Sequence, residues 1–377
     1  MATLAADLSV PFFNYPKAFA PYEEQMVDAF RDILRRGAFI LQKDLADFET
    51  NLANYLGAKH VIGVANATDA LILAWRAAGL PEGAEVIYPS HTMVASPASV
   101  VYAGGIPVPV DCDEIGMMCP DSAERAITSK TKGIMPVQLN GRSCNMDRIR
   151  EIADRHGLII VEDSAQGLGS QYKGQFASTF GAAGVFSFYP AKILGGPGDG
   201  GAIVTNDDHM AEQIKLMRDH GRNHEGEVVM WGINSRLDNL QAALLDLQFK
   251  DYAEIIRRRR EIADLYQTRL GDLEQVQLPP APDHSATPEY FDTFQNYEMQ
   301  ADNRDELRTY LREHRIGTLI QWGGKAVHQF AALGYSGPAL PNTERFFQRC
   351  IMLPMNMTLT DEEVHYVADH VRSFYGR

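Results

Sequence analysis

Leu158-Ile159-Ile160-Val161-Glu162-Asp163-Ser164-Ala165-Gln166 is a short apolar run that ends on two acids. Four consecutive aliphatic residues bounded by polar ones read as a strand buried on both faces. A strand of that kind belongs in a parallel sheet with helices packed on either side. The surrounding sequence repeats the theme. Apolar runs at His60 to Val64, Glu85 to Tyr88, Pro107 to Val110 and Gly133 to Val137 precede it, with helix-like segments such as Asp69 to Ala78 and Met146 to His156 between them. Alternating strands and helices predict an α/β fold, a large three-layer αβα domain with a mostly parallel sheet. Ligands in such sheets bind beyond the carboxyl ends of the strands, so the residues after each apolar run are the ones to inspect.

Outward from this region the pattern changes. Met26, Val27, Phe30, Ile33 and Leu34 recur at helical spacing before Gly37, and Leu45, Phe48, Leu52, Tyr55 and Leu56 do so before Gly57. Both predict amphipathic helices stopped by glycine. Beyond Asn234, residues Leu237 to about Leu270 read as one long helix, whose basic stretch Arg257 to Arg260 is expected on a solvated face. The proline-rich stretch Leu278 to Pro288 is a plausible linker. Strand-like and helix-like runs then alternate: Phe294 to Gln300, Arg304 to His314, Thr343 to Cys350 and Asp361 to Phe374. The expected organisation is a large domain with N-terminal helices over 1–250 and a smaller α+β domain over 251–377.

The chain has 377 residues, 45% hydrophobic and 22% charged, a balance that fits packed domains rather than a disordered chain. Its formal charge of −14 argues against nucleic acid or an anionic membrane as a partner. It does not exclude a small anion, which needs only a local positive site such as a helix N-terminus. Cys112, Cys119, Cys144 and Cys350 show no CxxC spacing and no disulfide framework, so the expected setting is the reducing cytoplasm. Met1 to Pro11 lacks the basic and apolar regions of a signal peptide, and no run is long enough for a membrane span.

Three loops carry the chemistry. Asn66-Ala67-Thr68-Asp69-Ala70-Leu71 follows a strand and opens a helix. Its amides and the Thr68 hydroxyl form a phosphate cradle, or Asn66 or Thr68 simply caps the helix. Asp163, ending its strand, can bind a metal, act as a base, face a cationic ring nitrogen or be structural. The third stretch runs Phe186-Ser187-Phe188-Tyr189-Pro190-Ala191-Lys192, then Ile193-Leu194, then Gly195-Gly196-Pro197-Gly198-Asp199-Gly200-Gly201. A lysine among desolvating aromatics loses its proton more readily and becomes a nucleophilic amine, although an exposed loop lysine is the plainer reading. The glycines would let backbone approach a bulky ligand. Gly196, Gly198 and Gly201 match GxGxxG by spacing but lead into the strand-like Ala202 to Thr205, so they are no dinucleotide fingerprint. His220 and His224 have no HExxH or cysteine cluster beside them, and no metal is expected.

Together the loops describe a site for an aromatic, phosphorylated aldehyde. An amine, a carboxylate for a pyridine nitrogen and a phosphate cradle match pyridoxal 5'-phosphate (PLP). Lys192 follows Asp163 by 29 residues, enough to return to the sheet at a neighbouring loop.

At these positions the chain closely resembles the DegT/StrS-type sugar aminotransferases, a branch of the fold-type I PLP enzymes. The resemblance takes in Gly37 to Ile40, Phe48-Glu49, Asn66 to Leu71, Pro89 to Thr92, Glu162-Asp163, Ser187 to Lys192 and Gly198 to Gly201. It continues through His220-Gly221 and Gly232 to Asp238 to Leu353-Pro354-Met355. It implies that Lys192 is the Schiff-base lysine and proton shuttle, and that Asp163 pairs with the pyridinium nitrogen. Gln166 approaches the ring's phenolic oxygen, while Ala67, Thr68 and Ser187 hold the phosphate. Asn234 reaches the phosphate of a neighbouring subunit, which implies a homodimer with shared active sites. Some relatives carry histidine in place of the lysine and act as dehydratases; Lys192 argues against that branch.

The implied reaction moves an amino group from glutamate, through pyridoxamine 5'-phosphate, to a 3-keto or 4-keto deoxysugar carried on a nucleotide. The stretches Asn234 to Arg236 and Pro89 to Thr92 look more like members that aminate C3. A cyclitol or other nucleotide-free keto sugar is an alternative substrate, and a PLP-binding regulator without turnover is an alternative role. Departures fall around the ring and the substrate. Ala67 stands where many members have glycine. Met93 replaces the usual aromatic that stacks on the pyridine, with His91 a possible contributor. Gln321-Trp322-Gly323-Gly324-Lys325 replaces a His-Tyr-type stretch at the substrate pocket. Trp322 could stack on a base or sugar, or belong to the core. His91, Tyr189, Trp322 and Lys325 are the expected substrate contacts.

Overall fold

The computed structural model describes residues 8–377. Residues 1–7, which open the expected 1–250 domain and most of the Met1 to Pro11 stretch, lie outside the described residues. The strands in chain order are β1 (His60–Val64), β2 (Glu85–Pro89), β3 (Ile106–Val110), β4 (Thr131–Ile134) and β5 (Ile159–Asp163). A small hairpin, β6 (Gln171–Tyr172) and β7 (Gln175–Phe176), leads to β8 (Ala183–Ser187) and β9 (Gly201–Thr205). The C-terminal part adds β10 (Val276–Gln277), β11 (Tyr290–Phe291), β12 (Tyr297–Ala301) and β13 (Cys350–Leu353).

Seven strands form one sheet in the order β1-β9-β8-β5-β4-β2-β3. All neighbours are parallel except β9, which runs antiparallel to both β1 and β8. The alternation of side chains along a strand explains the three layers. Ile62, Val64, Val185 and Ile203 pack with the helix Ala67–Ala77 on one face, while Val61, Phe186, Ala202 and Val204 pack with the helices Lys43–Leu56 and Asn239–Phe249 on the other. Because β9 is antiparallel, its first residue, Gly201, pairs with Val64 and Ser187 at the edge where β1 and β8 end. The glycine-rich stretch is thereby brought to the carboxyl edge of the sheet.

A second sheet, β10-β12-β13, carries its own core with the helices Arg304–Glu313 and Asp361–Phe374. Val10 belongs to that core and bonds to both Arg315 and Gly317, so this residue lies beside the C-terminal part of the chain. The expected long helix over 237–270 is two helices, Asn239–Phe249 and Tyr252–Leu270, because the chain turns at Lys250 and Asp251. The second helix spans both cores: Tyr252, Ile255 and Ile256 face the large sheet, and Ile262, Ala263, Tyr266 and Leu270 face the small one. Its basic stretch is not simply solvated. Arg259 is buried and donates to the carbonyls of Phe294, Gln295 and Met355, which ties the helix to the small sheet.

The first helix, Glu23–Arg36, ends at Gly37 in the left-handed region (φ 64°), as its spacing predicts. Its apolar stripe behaves otherwise. Only Ile33 is buried; Val27, Phe30 and Leu34 are exposed, together with Phe39, Ile40 and Leu41 just beyond.

Candidate active site

A cavity of about 420 Å³ lies beyond the carboxyl ends of β1, β2, β5 and β8. Ala67, Thr68, Met93, Asp163, Gln166, Ser187, Tyr189, Lys192 and Trp322 all line it. Residues scattered over 256 positions of the sequence meet there because successive parallel strands end at one edge.

The two acids of β5 point to opposite faces of the sheet. Glu162 is fully buried and accepts from Gln138 Nε2 at 2.8 Å and from the amides of Ser178, Phe180 and Gly181. It organises the loop leading into β8, and burial raises its pKa despite these donors. Asp163 lines the cavity. Its Oδ1 accepts the Ala165 amide at 3.1 Å, and its Oδ2 accepts the Ser96 hydroxyl at 2.6 Å. Thr92 Oγ1 lies 2.6 Å from Ser96 Oγ, and since Ser96 donates to the carboxylate, Thr92 donates to Ser96.

Lys192 sits at the end of the turn that follows β8, with its amide bonded to the Tyr189 carbonyl at 2.8 Å. Burial lowers its pKa from the usual lysine range to about 8, while Asp163 pulls in the opposite direction. An amine with that pKa is about one-tenth unprotonated at pH 7, against well under one-hundredth for an ordinary lysine. It can attack a carbonyl, and it can take up and return a proton.

The start of the helix Ala67–Ala77 forms the third component. Asn66 is its N-cap: the side chain accepts the Asp69 amide at 2.9 Å. Capping by Asn66 leaves the amides of Ala67 and Thr68, in the first turn, without intrahelical partners. They line the cavity beside Ser187, whose hydroxyl accepts the Tyr189 amide at 3.3 Å. Free amides at a helix start can hold an anion. Gly201 makes it possible: a Cβ there would stand 2.6 Å from the Asn66 carbonyl carbon and 2.8 Å from the Ala67 nitrogen. The other glycines of this stretch also meet protein. A Cβ on Gly195 would strike the Pro190 carbonyl, and one on Gly198 would strike Gln241. None of them lines the cavity, so their part is close packing of the loop rather than contact with a ligand.

Gln166 is held by two donors. Its Oε1 accepts the Asn140 amide at 2.9 Å and Asn296 Nδ2 at 3.1 Å. Met93 and Tyr189 are exposed side chains at the mouth of the cavity. Trp322 is neither wholly core nor wholly exposed. It lines the cavity, and it packs edge-on against His91 and near Phe347. Its backbone is left-handed (φ 47°), and Gly323 and Gly324 continue the turn at positive φ.

Three expected residues lie elsewhere. His91 is buried among Trp322, Phe346 and Phe347, donates through Nδ1 to the Gly116 carbonyl at 2.8 Å, and does not line the cavity. Lys325 is exposed beyond the two glycines, off the cavity wall. Asn234 is exposed on a bridge with Asp219 and does not enter the cavity of its own chain. Conversely, Ser96 and Asn140 take part without having been named from the sequence, and Thr92 and Asp199 do so although they were quoted only within longer stretches. Ser96 alone had a readable signal, as a hydroxyl one turn beyond Thr92 in the segment after β2. Among the described residues no group of three His, Cys, Asp or Glu side chains is placed to hold a metal ion.

Comparison with known proteins matches residues 21–372 to the DegT/DnrJ/EryC1/StrS aminotransferase family. The chain is 36% identical to a "pleiotropic regulatory protein" of Geobacillus stearothermophilus, covering 98% of this chain and 99% of that one. It is also 36% identical to the dTDP-3-amino-3,4,6-trideoxy-alpha-D-glucose transaminase of Streptomyces venezuelae, covering 100% and 99%. The crystal structure of S. venezuelae DesV in complex with a ketimine intermediate superposes with a TM-score of 0.93 at 36% identity, over 98% of this chain and 100% of that chain.

Proposed function

The chain belongs to the DegT/DnrJ/EryC1/StrS aminotransferase family, and from that premise we propose that it transfers an amino group from glutamate to a nucleotide-linked 3-keto deoxysugar. The family's enzymes are PLP-dependent sugar aminotransferases. The observation that carries the reading is Lys192, its pKa lowered to about 8, sharing one cavity with Asp163 and an anion cradle.

The residues fit the cofactor at each of its three handles. Lys192 would hold the aldehyde. Asp163, with both oxygens already accepting hydrogen bonds, would face the pyridine nitrogen as a carboxylate. The unpartnered amides of Ala67 and Thr68, with Ser187, would take the phosphate. When bound, PLP supplies an electrophilic carbonyl and a ring that accepts an electron pair. The protein's share is positioning and proton transfer. Lys192 takes the proton from the donor's α-carbon and returns one to the sugar carbon. Gln166 would offer a donor to the ring's phenolic oxygen, and Met93, on the cavity wall, would cover a ring face. Tyr189 and Trp322, which line the same cavity, would contact the sugar.

The nucleotide-sugar and C3 assignments draw support from the S. venezuelae transaminase, whose name specifies a dTDP-linked 3-amino sugar. A homodimer with shared sites draws support from what one chain leaves exposed. Phe30 is 45% exposed, Leu34 52% and Trp231 94%. Val228 and Val229 flank Trp231, in the segment that leads to Asn234. A second copy covering this apolar surface would bring Asn234 to its partner's phosphate site. A cytoplasmic setting suits four cysteines that are all free. No helix among the described residues is long and apolar enough to cross a membrane.

The test is a two-stage assay of the holoenzyme. Glutamate alone should convert the bound cofactor, seen as a change in its visible absorption, and release 2-oxoglutarate. A panel of dTDP- and UDP-linked keto sugars should then restore the spectrum. Restoration only by nucleotide-free keto sugars would favour the cyclitol reading. No response to glutamate or to any other amino donor would overturn the activity and leave a cofactor-binding regulator.

A further inference from the structure

The Gln166 amide has an orientation fixed by its surroundings. The atom nearest the Asn140 backbone N–H must be an acceptor, because a backbone N–H only donates. The second donor, Asn296 Nδ2, meets the same oxygen. The NH2 end is therefore the free end. Within the chain, Nε2 has only a 3.5 Å contact to Gln321 Oε1.

Behind this amide lies a carboxylate that the reaction itself does not require. Glu298 is on β12, where Tyr297 and Met299 turn into the small core and Asn296 and Glu298 turn toward the large sheet. Its side chain is essentially inaccessible. Oε2 accepts Asn140 Nδ2 at 2.7 Å and Gln321 Nε2 at 2.9 Å, with His91 Nε2 at 3.6 Å. Oε1 has no partner in the chain. Asn140 Oδ1 in turn accepts Asn296 Nδ2 at 2.8 Å and Gln321 Nε2 at 3.0 Å. Asn140 itself is left-handed (φ 57°), the conformation that aims its amide at Gln166.

Burying a carboxylate is costly, and an apolar side chain would fill this space at lower cost. What the carboxylate contributes is one acceptor for two amide NH2 groups, which decides how Asn140 and Gln321 point. We propose that Glu298 is a positioning residue of the aminotransferase: through Asn140 and Gln321 it locks the Gln166 amide with its donor end free for the cofactor's phenolic oxygen. Through Gln321 it also anchors the start of the left-handed turn that sets Trp322 on the cavity wall. The second sheet thus has a direct part in the site on the first. This inference rests on the reading of the cavity as a PLP site.

The experiment is a pH titration of the holoenzyme's visible absorption band. A donor on the phenolic oxygen draws electron density from the neighbouring proton site, so losing it raises the pH midpoint of the band. One neutral hydrogen bond corresponds to about 0.4–1 pH unit. Glu298→Met removes the acceptor and should raise the midpoint by that amount. Glu298→Gln keeps an acceptor oxygen and should restore it. Asn140→Gly tolerates the left-handed backbone and keeps the N–H that meets Gln166, but deletes the Oδ1 that aims Asn296 Nδ2 at Gln166 Oε1; it should shift the midpoint in the same direction as Glu298→Met, by less, even where the latter does not fold. In a Gln166→Ala background neither substitution should add a further shift, since the group they act through is gone. A wild-type midpoint in Asn140→Gly or in a folded Glu298→Met overturns the proposal, as does a full shift persisting without Gln166. Wild-type protein that develops no visible band with PLP instead overturns the reading of the cavity itself.

Discussion

Ser96 Oγ donates to Asp163 Oδ2 at 2.6 Å, and Thr92 stands behind it as the donor to Ser96. The relay fixes the position of the carboxylate that would pair with a protonated ring nitrogen. Ser96→Ala leaves Oδ2 without its donor. A hydrogen bond to a charged group is worth about 1.5–3 kcal/mol, so kcat should fall roughly 10–100-fold with the fold intact. Steady-state kinetics beside a thermal melt would check this.

Lys192→Ala removes the proton carrier and the covalent anchor but not the phosphate cradle. Cofactor should still bind, reversibly, and be lost on dialysis. Turnover should fall by at least about 10²–10⁴-fold, the usual contribution of a positioned acid–base group. Near-normal turnover would show that another group moves the proton.

The lowered pKa of Lys192 sets a pH dependence with a definite sign. The neutral amine captures the aldehyde, so the rate at which apoprotein takes up PLP should rise with pH and level off above about 8. Below that point it should fall about tenfold per pH unit. An ordinary lysine, with pKa near 10.4, would still be accelerating at pH 10. Stopped-flow absorbance across pH 6.5 to 10 separates the two profiles.

Gly201→Ala forces a methyl against the backbone of Asn66 and Ala67. Overpacking of this kind costs about 1–3 kcal/mol, and here it displaces the anion cradle. The variant should melt at lower temperature and bind PLP more weakly, while pyridoxal, which lacks the phosphate, should bind as it does to wild type. Equal losses for both ligands would contradict the cradle.

Leu34→Glu places a charge in the exposed apolar stripe of the first helix. Sedimentation should show the wild type as a dimer and the variant shifted toward monomer, with activity lost in parallel because Asn234 no longer reaches a partner site. A wild type that sediments as a monomer with full activity would remove the basis for shared sites.

The sequence was most informative where local chemistry decides the outcome. Gly37 and Gly57 end their helices at φ 64° because no other residue adopts that conformation so readily. The aliphatic runs became β1 and β5, and the polar residues closing these strands meet at one edge because the parallel strands all end there. What remained hidden depends on contacts between distant parts of the chain. Ser96 is 67 positions from Asp163, and Glu298 is 158 from Asn140. Neither belongs to a motif with its partner. The stripe of Val27, Phe30 and Leu34 has the spacing of a core-facing helix, and periodicity does not distinguish a face that packs on its own sheet from one left for a second molecule. His91 read as a ligand contact because it stands two residues from Met93, where the usual stacking aromatic is missing; the fold instead encloses it with Phe346 and Phe347, some 250 positions away.

The central claim is that Lys192 is the residue that holds the cofactor. Reduction of the holoenzyme with borohydride, followed by proteolysis and mass mapping, tests it directly. One pyridoxyl group per chain is expected, on the peptide containing Tyr189-Pro190-Ala191-Lys192, and none on that peptide in Lys192→Ala. A pyridoxyl group on any other lysine of the wild-type protein would contradict it.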